Sequence, residues 1–572
     1  MKRAYLKLFF IFIFVVMVSI SGCSEKSVIV HYRIIKNAKI EYHEGIPFLY
    51  LKGTDYEVGY QYGFLLKDIL KTSTDESLLM VDKDLQQYIS EQKGFVKLFF
   101  NLFGKGFMKK SINKALKDLP PDYREQIQGI SDGSGIPIYN IIALTLIADI
   151  ACSSLIIVED NQVIHGRNFD WSNFAGKYPV VVNYDIDGKI KYTNFGFVPL
   201  LFMVSGINEE GISFSINALP GTQPTKKKDK DSFLFQHKIL DSCKTLSDVD
   251  KVLDGYIIPV NHVLIIASQK EKKGAFYECL GETIIRTDFT GSKYVGNDVT
   301  ADEAKKFESI ENHFFRFRED TAELLLDKLK DKDPVERAID ILSSTQIYNY
   351  GDVEFHVSIN NGGTIQSIVF DAANSNVYFA VSTGYAGWDK WIKYNYETED
   401  VSVYRQPNPI RNNITIKKQI ELMDISLKTD WQDNESKKKL IKEIEKSGVE
   451  TFWSLRVCSY ISRDIGRFDE AEKYVKKWIE KYPDIGWAYY LYGNLLQKMN
   501  RNEEAIKILE QGLNTKFLDD YMEVIMYYQL IKIYEKRNDK EKVKIYKQKA
   551  LEIHKPYWMP KHIKKEVQKL KN

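Results

Sequence analysis

The 572-residue chain is poor in cysteine: Cys23, Cys152, Cys243, Cys279 and Cys458 are its only five, and no two form a CxxC pair. So few thiols, so widely spread, make neither a disulfide framework nor a thiolate zinc site. Its nine histidines include no HExxH, which removes the usual zinc-protease helix. Glycine is not gathered into a phosphate loop either, since Gly362-Gly363 stands without the GxxxxGK pattern. Charge of one sign is also missing. Lys and Arg number 80 against 78 Asp and Glu, so no global field attracts nucleic acid, and none is expected as a partner. The only local excess is basic, at Lys555, Lys561, Lys564, Lys565, Lys569 and Lys571, and reads as a solvated terminal face. The apolar run Leu8–Val18 is too short to span a bilayer, which takes roughly 20 apolar residues.

That short run does have a meaning. Lys2, Arg3 and Lys7 precede it and Ser19-Ile20-Ser21-Gly22-Cys23 follows, so residues 1–22 form a basic, apolar and small-residue series typical of an export signal. Ile20-Ser21-Gly22-Cys23 resembles the lipobox of bacterial lipoproteins, which implies lipid on Cys23 and an extracytoplasmic protein anchored to the cell membrane. An ordinary secretory signal or an uncleaved anchor is the alternative, and it leads to the same compartment.

With 44% hydrophobic and 28% charged residues, the remainder suffices for two or three globular domains. Residues 23–405 mix strand and helix signals. Ser154–Val158, Gly211–Ile216, His262–Ala267, Thr364–Phe370 and Asn376–Val381 are β-branched or aromatic runs bounded by turn formers. Asp55–Leu70, Asp122–Ser134, Thr300–Arg318 and Pro334–Leu342 read as helices, giving a layered α and β domain. Gly59 and Gly63, four apart, give the first helix a smooth face for close packing. Phe95–Phe107 holds five phenylalanines, which suit a buried aromatic helix or, alternatively, a lid, an acyl-chain wall or a membrane-touching loop.

Residues 413–572 carry almost no strand signal. Trp453 and Trp487 lie 34 residues apart, as do Ala471 and Ala505, and Leu491-Tyr492-Gly493 follows the second Trp. A further unit, Tyr521–Ile553, has Val543 in the alanine place. This period and pattern resemble the tetratricopeptide repeat, a helical hairpin that either binds a protein partner or braces a neighbouring domain.

Chemistry concentrates near Cys152. Ser154–Val158 and Val163–Arg167 flank an Asp-Asn-Gln turn, and folding this hairpin returns Arg167, Asn168 and Asp170 to Cys152. A guanidinium favours thiolate, and breaking the bond before Cys152 would create an α-amine with pKa near 7.7–8.0 to take the thiol proton. Arg167 and Asp170 are an odd number of residues apart, so a regular strand points them to opposite faces. His165 invites a Cys-His reading, but no protease signature surrounds it.

Several blocks occur in a fixed order: Gly53-Thr54-Asp55-Tyr56-Glu57-Val58-Gly59-Tyr60-Gln61-Tyr62-Gly63, Cys152, Gly166-Arg167-Asn168-Phe169-Asp170-Trp171, Gly206-Ile207-Asn208-Glu209-Glu210-Gly211, Asn217, Gly296-Asn297-Asp298, and Ser367-Ile368-Val369-Phe370-Asp371. Together they resemble the acyl-CoA:6-aminopenicillanate acyltransferase family of N-terminal nucleophile hydrolases, related to choloylglycine hydrolases and penicillin V acylases. The resemblance implies an α+β fold, a four-layer αββα sandwich, followed here by the all-α tetratricopeptide-like domain. It implies self-cleavage between 151 and 152, with Cys152 the nucleophile, and Arg167 and Asp170 holding the thiolate and the α-amine. Asn217 matches the asparagine that donates to the oxyanion. Asn297 matches a second polar residue, although Gly296-Asn297-Asp298 departs from the Thr-Asn-His or Thr-Asn-Asn of many relatives. A distal arginine falls on Arg316 or Arg318, with Arg316 taken first.

The activity so implied is cleavage of a linear amide of a small N-acyl compound through an acyl-enzyme, with no metal or redox cofactor. Two alternatives are an acyltransferase moving an acyl group from a thioester to an amine, and a non-catalytic surface scaffold that binds partners through its repeats.

Overall fold

The computed structural model describes residues 34–77, 119–138, 140–141, 151–171, 173–200, 204–219, 235–255, 261–307, 316–351 and 357–553. The export signal with Cys23, the segment Phe95–Phe107 and the basic stretch from His554 to Asn572 lie outside the described residues.

Two sheets stack face to face. The larger has the spatial order β1 (Lys39–His43), β2 (Ile46–Gly53), β5 (Pro179–Ile186), β6 (Tyr192–Phe197), β7 (Ser205–Asn208), β8 (Ile212–Ala218), β9 (His262–Ser268), β10 (Lys273–Leu280), β11 (Thr283–Phe289). The smaller runs β12 (Lys293–Val295), β3 (Ala151–Glu159), β4 (Gln162–Asp170), β13 (Thr364–Asp371), β14 (Asn376–Val381), β15 (Trp391–Asn395), β16 (Val401–Arg405). All neighbours are antiparallel except β2 and β5. Between the sheets lie apolar side chains such as Phe48, Phe195, Phe370 and Phe379, which alternate with residues facing outward.

Helices close both outer faces. Helices α1 (Asp55–Leu65), α2 (Pro121–Ser134), α3 (Phe235–Ser242) and α4 (Leu246–Leu253) bury Val58, Tyr62, Ile127, Ile239 and Val249 against the larger sheet. Helices α5 (Arg316–Lys328) and α6 (Pro334–Leu342) bury Ala322, Leu325, Ala338 and Leu342 against the smaller. The domain is a four-layer αββα sandwich.

Two of the sequence helices differ from expectation. The helix expected over Asp55–Leu70 is interrupted at Leu66, where the backbone leaves the helical region, and helix resumes over 67–77. Within Thr300–Arg318, the described residues 300–307 form a 3₁₀ turn at Lys305–Phe307, residues 308–315 lie outside the described residues, and α5 is described from Arg316. The Glu278 carboxylate accepts from the amides of Thr300 and Ala301 at the head of this stretch.

The smooth face of Gly59 and Gly63 meets a matching pair, Gly129 and Gly133, on α2. A Cβ on Gly59 would lie 2.1 Å from the Gln126 carbonyl oxygen, and one on Gly133 would lie 2.2 Å from that of Tyr60. Backbone against backbone has no side chain to yield, so Gly59→Ala is expected to force the helices apart and cost about 1–3 kcal/mol or more. Gly351→Ala, where nothing lies within 4 Å, is the control and should stay within about 0.5 kcal/mol. Thermal unfolding midpoints of the two variants make the comparison.

After β16 the chain is helical: α7 (Ile414–Leu427), α8 (Asn434–Ser447), α9 (Phe452–Asp464), α10 (Phe468–Lys481), α11 (Gly486–Lys498), α12 (Asn502–Gly512), α13 (Asp520–Lys536) and α14 (Lys540–Ile553). These are successive hairpins in which Ala471 and Ala505 are buried at the close approach of paired helices. The pair α7–α8 precedes the units marked by Trp453 and Trp487 and continues the same stack.

Candidate active site

The β3–β4 hairpin builds the site. Asp160 and Asn161 both take positive φ, 46° and 67°, giving the two-residue turn that matches strand twist. Such a turn fixes the register, and it places Cys152 opposite Phe169, Ser154 opposite Arg167 and Ala151 opposite Asp170. Opposed residues share a face, so Cys152, Ser154, Arg167 and Phe169 all point between the sheets. Asp170 points the other way, toward α5.

Between the sheets, Arg167 is wholly buried and spread over several acceptors. Its Nη2 lies 2.9 Å from Cys152 Sγ and 3.1 Å from the Ile216 carbonyl oxygen. Its Nη1 donates to Ser205 Oγ at 2.8 Å and to the Val204 carbonyl. Cys152 itself is fully buried. Burial raises its thiol pKa above the ordinary value, against the opposing charge of Arg167 and hydrogen bonds from Arg167 and the Asp170 backbone. In the uncut chain burial thus opposes ionisation of this sulfur, and the Arg167 guanidinium favours it.

The nitrogen of Cys152 has its own clamp. Strand β12 ends at Val295, and beyond it the Asn297 side chain continues the pairing, its Oδ1 accepting from the Cys152 amide at 3.1 Å. Asn297 Nδ2 donates to the Ala218 carbonyl at 2.7 Å. Sequence reasoning gave the care of this nitrogen to Asp170. The Asp170 carboxylate is instead held on the outer face by Arg318 Nη1 at 2.9 Å, Asn361 Nδ2 at 2.8 Å and Thr364 Oγ1 at 2.6 Å.

Arg316 is not the arginine at Asp170, which corrects the first choice between the two. Two residues on a helix are about 200° apart, so only one of Arg316 and Arg318 can face the strand end. Arg318 does, with its side chain 2% exposed, whereas Arg316 is 40% exposed and its Nε lies 3.6 Å from Asp298 Oδ2.

Asn217 also differs from expectation. It donates both amide hydrogens to the backbone, to Val295 at 3.0 Å and Gly296 at 2.9 Å, and neither is left for an oxyanion in this state. It frames the loop that carries Asn297. A buried polar chain fixes its orientation: Ser154 Oγ donates to Asn217 Oδ1 at 3.0 Å, and Ser215 Oγ is 3.1 Å from Ser154 Oγ. His165 Nε2 lies 2.8 Å from Ser215 and its Nδ1 lies 2.9 Å from Ser213. Each hydroxyl has one hydrogen. Ser154 uses its own on Asn217, so Ser215 must donate to Ser154 and accept from His165 Nε2–H, while Ser213 donates to Nδ1. The chain thereby places a proton on Nε2, and the Ser213 donation to Nδ1 belongs to the neutral ring.

Burial, with help from the Arg167 charge, lowers the His165 pKa to about 3. A histidine that ionises at about 6.5 when unfolded and only near 3 when folded contributes stability above pH 6.5, lost progressively as pH falls toward 3. A His165→Gln chain, which keeps donor and acceptor but does not titrate, is expected to show a smaller drop in melting temperature between pH 7 and pH 4.5 than the wild type. Equal drops would remove His165 as a source of acid sensitivity.

Ser205, Asn361 and Thr364 escaped sequence reasoning. The only available signal was the turn-rich run Asn360-Asn361-Gly362-Gly363 before β13, noticed for its glycines alone. Among the described residues no group of three His, Cys, Asp or Glu side chains is arranged to hold a metal.

The model of the family described as acyl-coenzyme A:6-aminopenicillanic acid acyl-transferase matches residues 157–384, and a tetratricopeptide repeat model matches residues 464–522. Acid ceramidase of Mus musculus is 30% identical over 118 residues, covering 17% of this chain and 30% of that protein. N-acylethanolamine-hydrolyzing acid amidase of Caenorhabditis elegans is 26% identical over 111 residues, covering 17% and 31%. The chain thus spans under a third of the length of these curated relatives. Among solved structures, the Caenorhabditis elegans ortholog of that amidase covers 39% of this chain and 93% of its own, with 17% identity and a TM-score of 0.30. A mutant of conjugated bile acid hydrolase from Clostridium perfringens covers 45% and 96%, with 13% identity and a TM-score of 0.32. Neither superposition carries weight at those scores. The family match and the local chemistry do.

Proposed function

We propose that this chain, whose residues 157–384 belong to the acyl-coenzyme A:6-aminopenicillanic acid acyl-transferase family, is an N-terminal-cysteine hydrolase of linear amides that carry an apolar acyl group. The observation that carries the reading is the pair of contacts on Cys152: a buried guanidinium 2.9 Å from its sulfur and a carboxamide oxygen 3.1 Å from its nitrogen. One favours thiolate, and the other holds the atom that becomes an α-amine.

In activation, Cys152 Sγ attacks the Ala151 carbonyl carbon, the thiol proton passes to the Cys152 nitrogen, the peptide C–N bond breaks and the acyl group moves to sulfur. Water then hydrolyses the thioester, leaving a carboxylate on Ala151 and a free amine on Cys152. In turnover that amine takes the thiol proton and returns it to the leaving amine. The Asn297 carboxamide, fixed by its Nδ2 on the Ala218 carbonyl and framed by Asn217, keeps its Oδ1 on the Cys152 nitrogen and so serves the amine rather than the oxyanion. Phe169, Phe197, Leu200, Val204 and Ile365 pack around Cys152, which supports an apolar acyl group rather than a charged one. The names of the curated relatives, a ceramidase and an acylethanolamine amidase, agree with that class. The site is proposed to lie outside the cytoplasm, tethered through lipid on Cys23. Among the described residues, no helix is long and apolar enough to cross a membrane.

The test is the intact mass and N-terminal sequence of the purified chain, followed by hydrolysis of N-acyl amides of increasing acyl length. Two polypeptides split before Cys152 and a rate that rises with acyl length are expected. Active material in which the 151–152 bond is still joined overturns the reading. Adding a primary amine as a competing acceptor separates hydrolysis from acyl transfer.

A further inference from the structure

Six consecutive residues of α5 contact two neighbours. At 100° per residue, Arg318 and Glu319 lie on one side of the helix, Phe317 and Thr321 on the other, and Arg316 and Asp320 along the boundary between them. The first side serves the catalytic centre. Arg318 holds Asp170 at 2.9 Å, Glu319 Oε1 accepts from the Gly296 amide at 3.3 Å, and Arg316 faces Asp298. Gly296 and Asp298 flank Asn297, so all three contacts bear on the residues that surround Cys152.

The second side serves the helical repeats. Phe317 is 3% exposed, with its ring 5.4 Å from Trp487 and 6.3 Å from Phe452, both aromatics of the repeats. Thr321 Oγ1 accepts from the Tyr348 amide at 2.8 Å, and Asp320 accepts from the Tyr348 hydroxyl at 3.2 Å. Tyr348 in turn stacks on Phe517 of the repeats, at 3.8 Å between rings and 10° between planes. Phe317 and Tyr348 belong to the same continuous core as Trp478, Trp487 and Leu491.

We infer that the repeats are a positioning element of the catalytic centre: their aromatic surface takes α5 of the same chain as its partner, and Phe317 sets the angle at which α5 presents Arg318 to Asp170 and Glu319 to the Gly296 amide. Phe317 touches no reacting atom. Helices of this size draw most of their stability from tertiary packing, so the placement of α5 depends on what its faces bury. The inference rests on the hydrolase reading for its catalytic readout alone.

The experiment uses the full chain with Phe317→Ala, Phe317→Leu and Phe517→Leu, and an N-acyl amide that the wild type cleaves. Phe317→Ala is expected to lower kcat roughly 10²-fold, the cost of misplacing a reacting group by about 1 Å, with KM little changed. Phe317→Leu should restore most of kcat. Hydrogen exchange should speed up in Gln162–Asp170 as well as in α5. A folded Phe317→Ala chain with wild-type kcat and unaltered exchange in that strand overturns the inference. Should Phe317→Ala not fold, Phe517→Leu decides by the same two readouts, since it loosens the seam from the repeat side. If the wild type cleaves no amide, the hydrolase reading is what fails. Exchange in Gln162–Asp170 then still judges the coupling: faster supports it, unaltered overturns it.

Discussion

A Cys152→Ala chain is expected to fold, to remain a single uncut polypeptide, and to lose about 10⁴–10⁶-fold in kcat on every amide the wild type cleaves, the scale seen when a nucleophile is removed outright. Folding should survive because the change only deletes one sulfur from a buried apolar setting. Arg167 also keeps its other acceptors, at Val204, Ser205 and Ile216. The activity should not survive, because no other described thiol can stand in. Cys243 and Cys279 are sealed under the helices of the larger sheet and Cys458 within the repeats. Burial pushes the thiols of Cys243 and Cys458 up to about 12 and raises that of Cys279 as well. His165 cannot serve as nucleophile either, since both ring nitrogens are engaged by serines. Intact mass and a turnover assay settle both halves of the expectation. Cys152→Ser adds a finer comparison: it preserves volume and a donor, so an intermediate rate would locate the deficit in the nucleophile's acidity rather than in packing. Appreciable hydrolysis by Cys152→Ala would remove the acyl-enzyme mechanism.

How far the sequence leads depends on the range of the interaction. The hairpin that carries Cys152 and Arg167 was legible because its register follows from a two-residue turn and a period of two. The glycine face of α1 was legible because its cause is the chain's own spacing, yet its counterpart Gly129/Gly133 went unread although it has the same spacing. Helical repeats announce themselves through a 34-residue period, but the pair α7–α8 lacks the tryptophan and alanine markers and was seen only as undifferentiated helix. The partners of Asp170 were beyond reach. Arg318, Asn361 and Thr364 lie 148, 191 and 194 residues away, and only tertiary packing decides which of many polar side chains arrives. The odd spacing of Arg167 and Asp170 did contain the answer, because two faces of one strand serve two different layers. The expectation that both side chains attend Cys152 worked against it.

The two arginines at the head of α5 give the sharpest consequence of that packing. Arg318→Met is expected to destabilise the chain by about 3–5 kcal/mol, because it leaves the Asp170 carboxylate buried with no cation. Both side chains of that pair are under 5% exposed. Asn361 and Thr364 would still donate to the carboxylate, so the loss should stop short of unfolding in a chain with so large a core. Arg316→Met, by contrast, removes a longer contact from a side chain 40% exposed, and should cost less than about 1 kcal/mol. Denaturation midpoints of the two variants, measured side by side, test the assignment. Adding Asp170→Asn to Arg318→Met should recover much of the stability, since the unpaired charge goes with its partner. Activity should not return with it, because the end of β4 beside Cys152 would then be held by neutral hydrogen bonds in place of an ion pair. Recovery of both together would mean that the pair matters only for folding, and equal losses from Arg316→Met and Arg318→Met would mean that α5 does not orient one arginine in preference to the other.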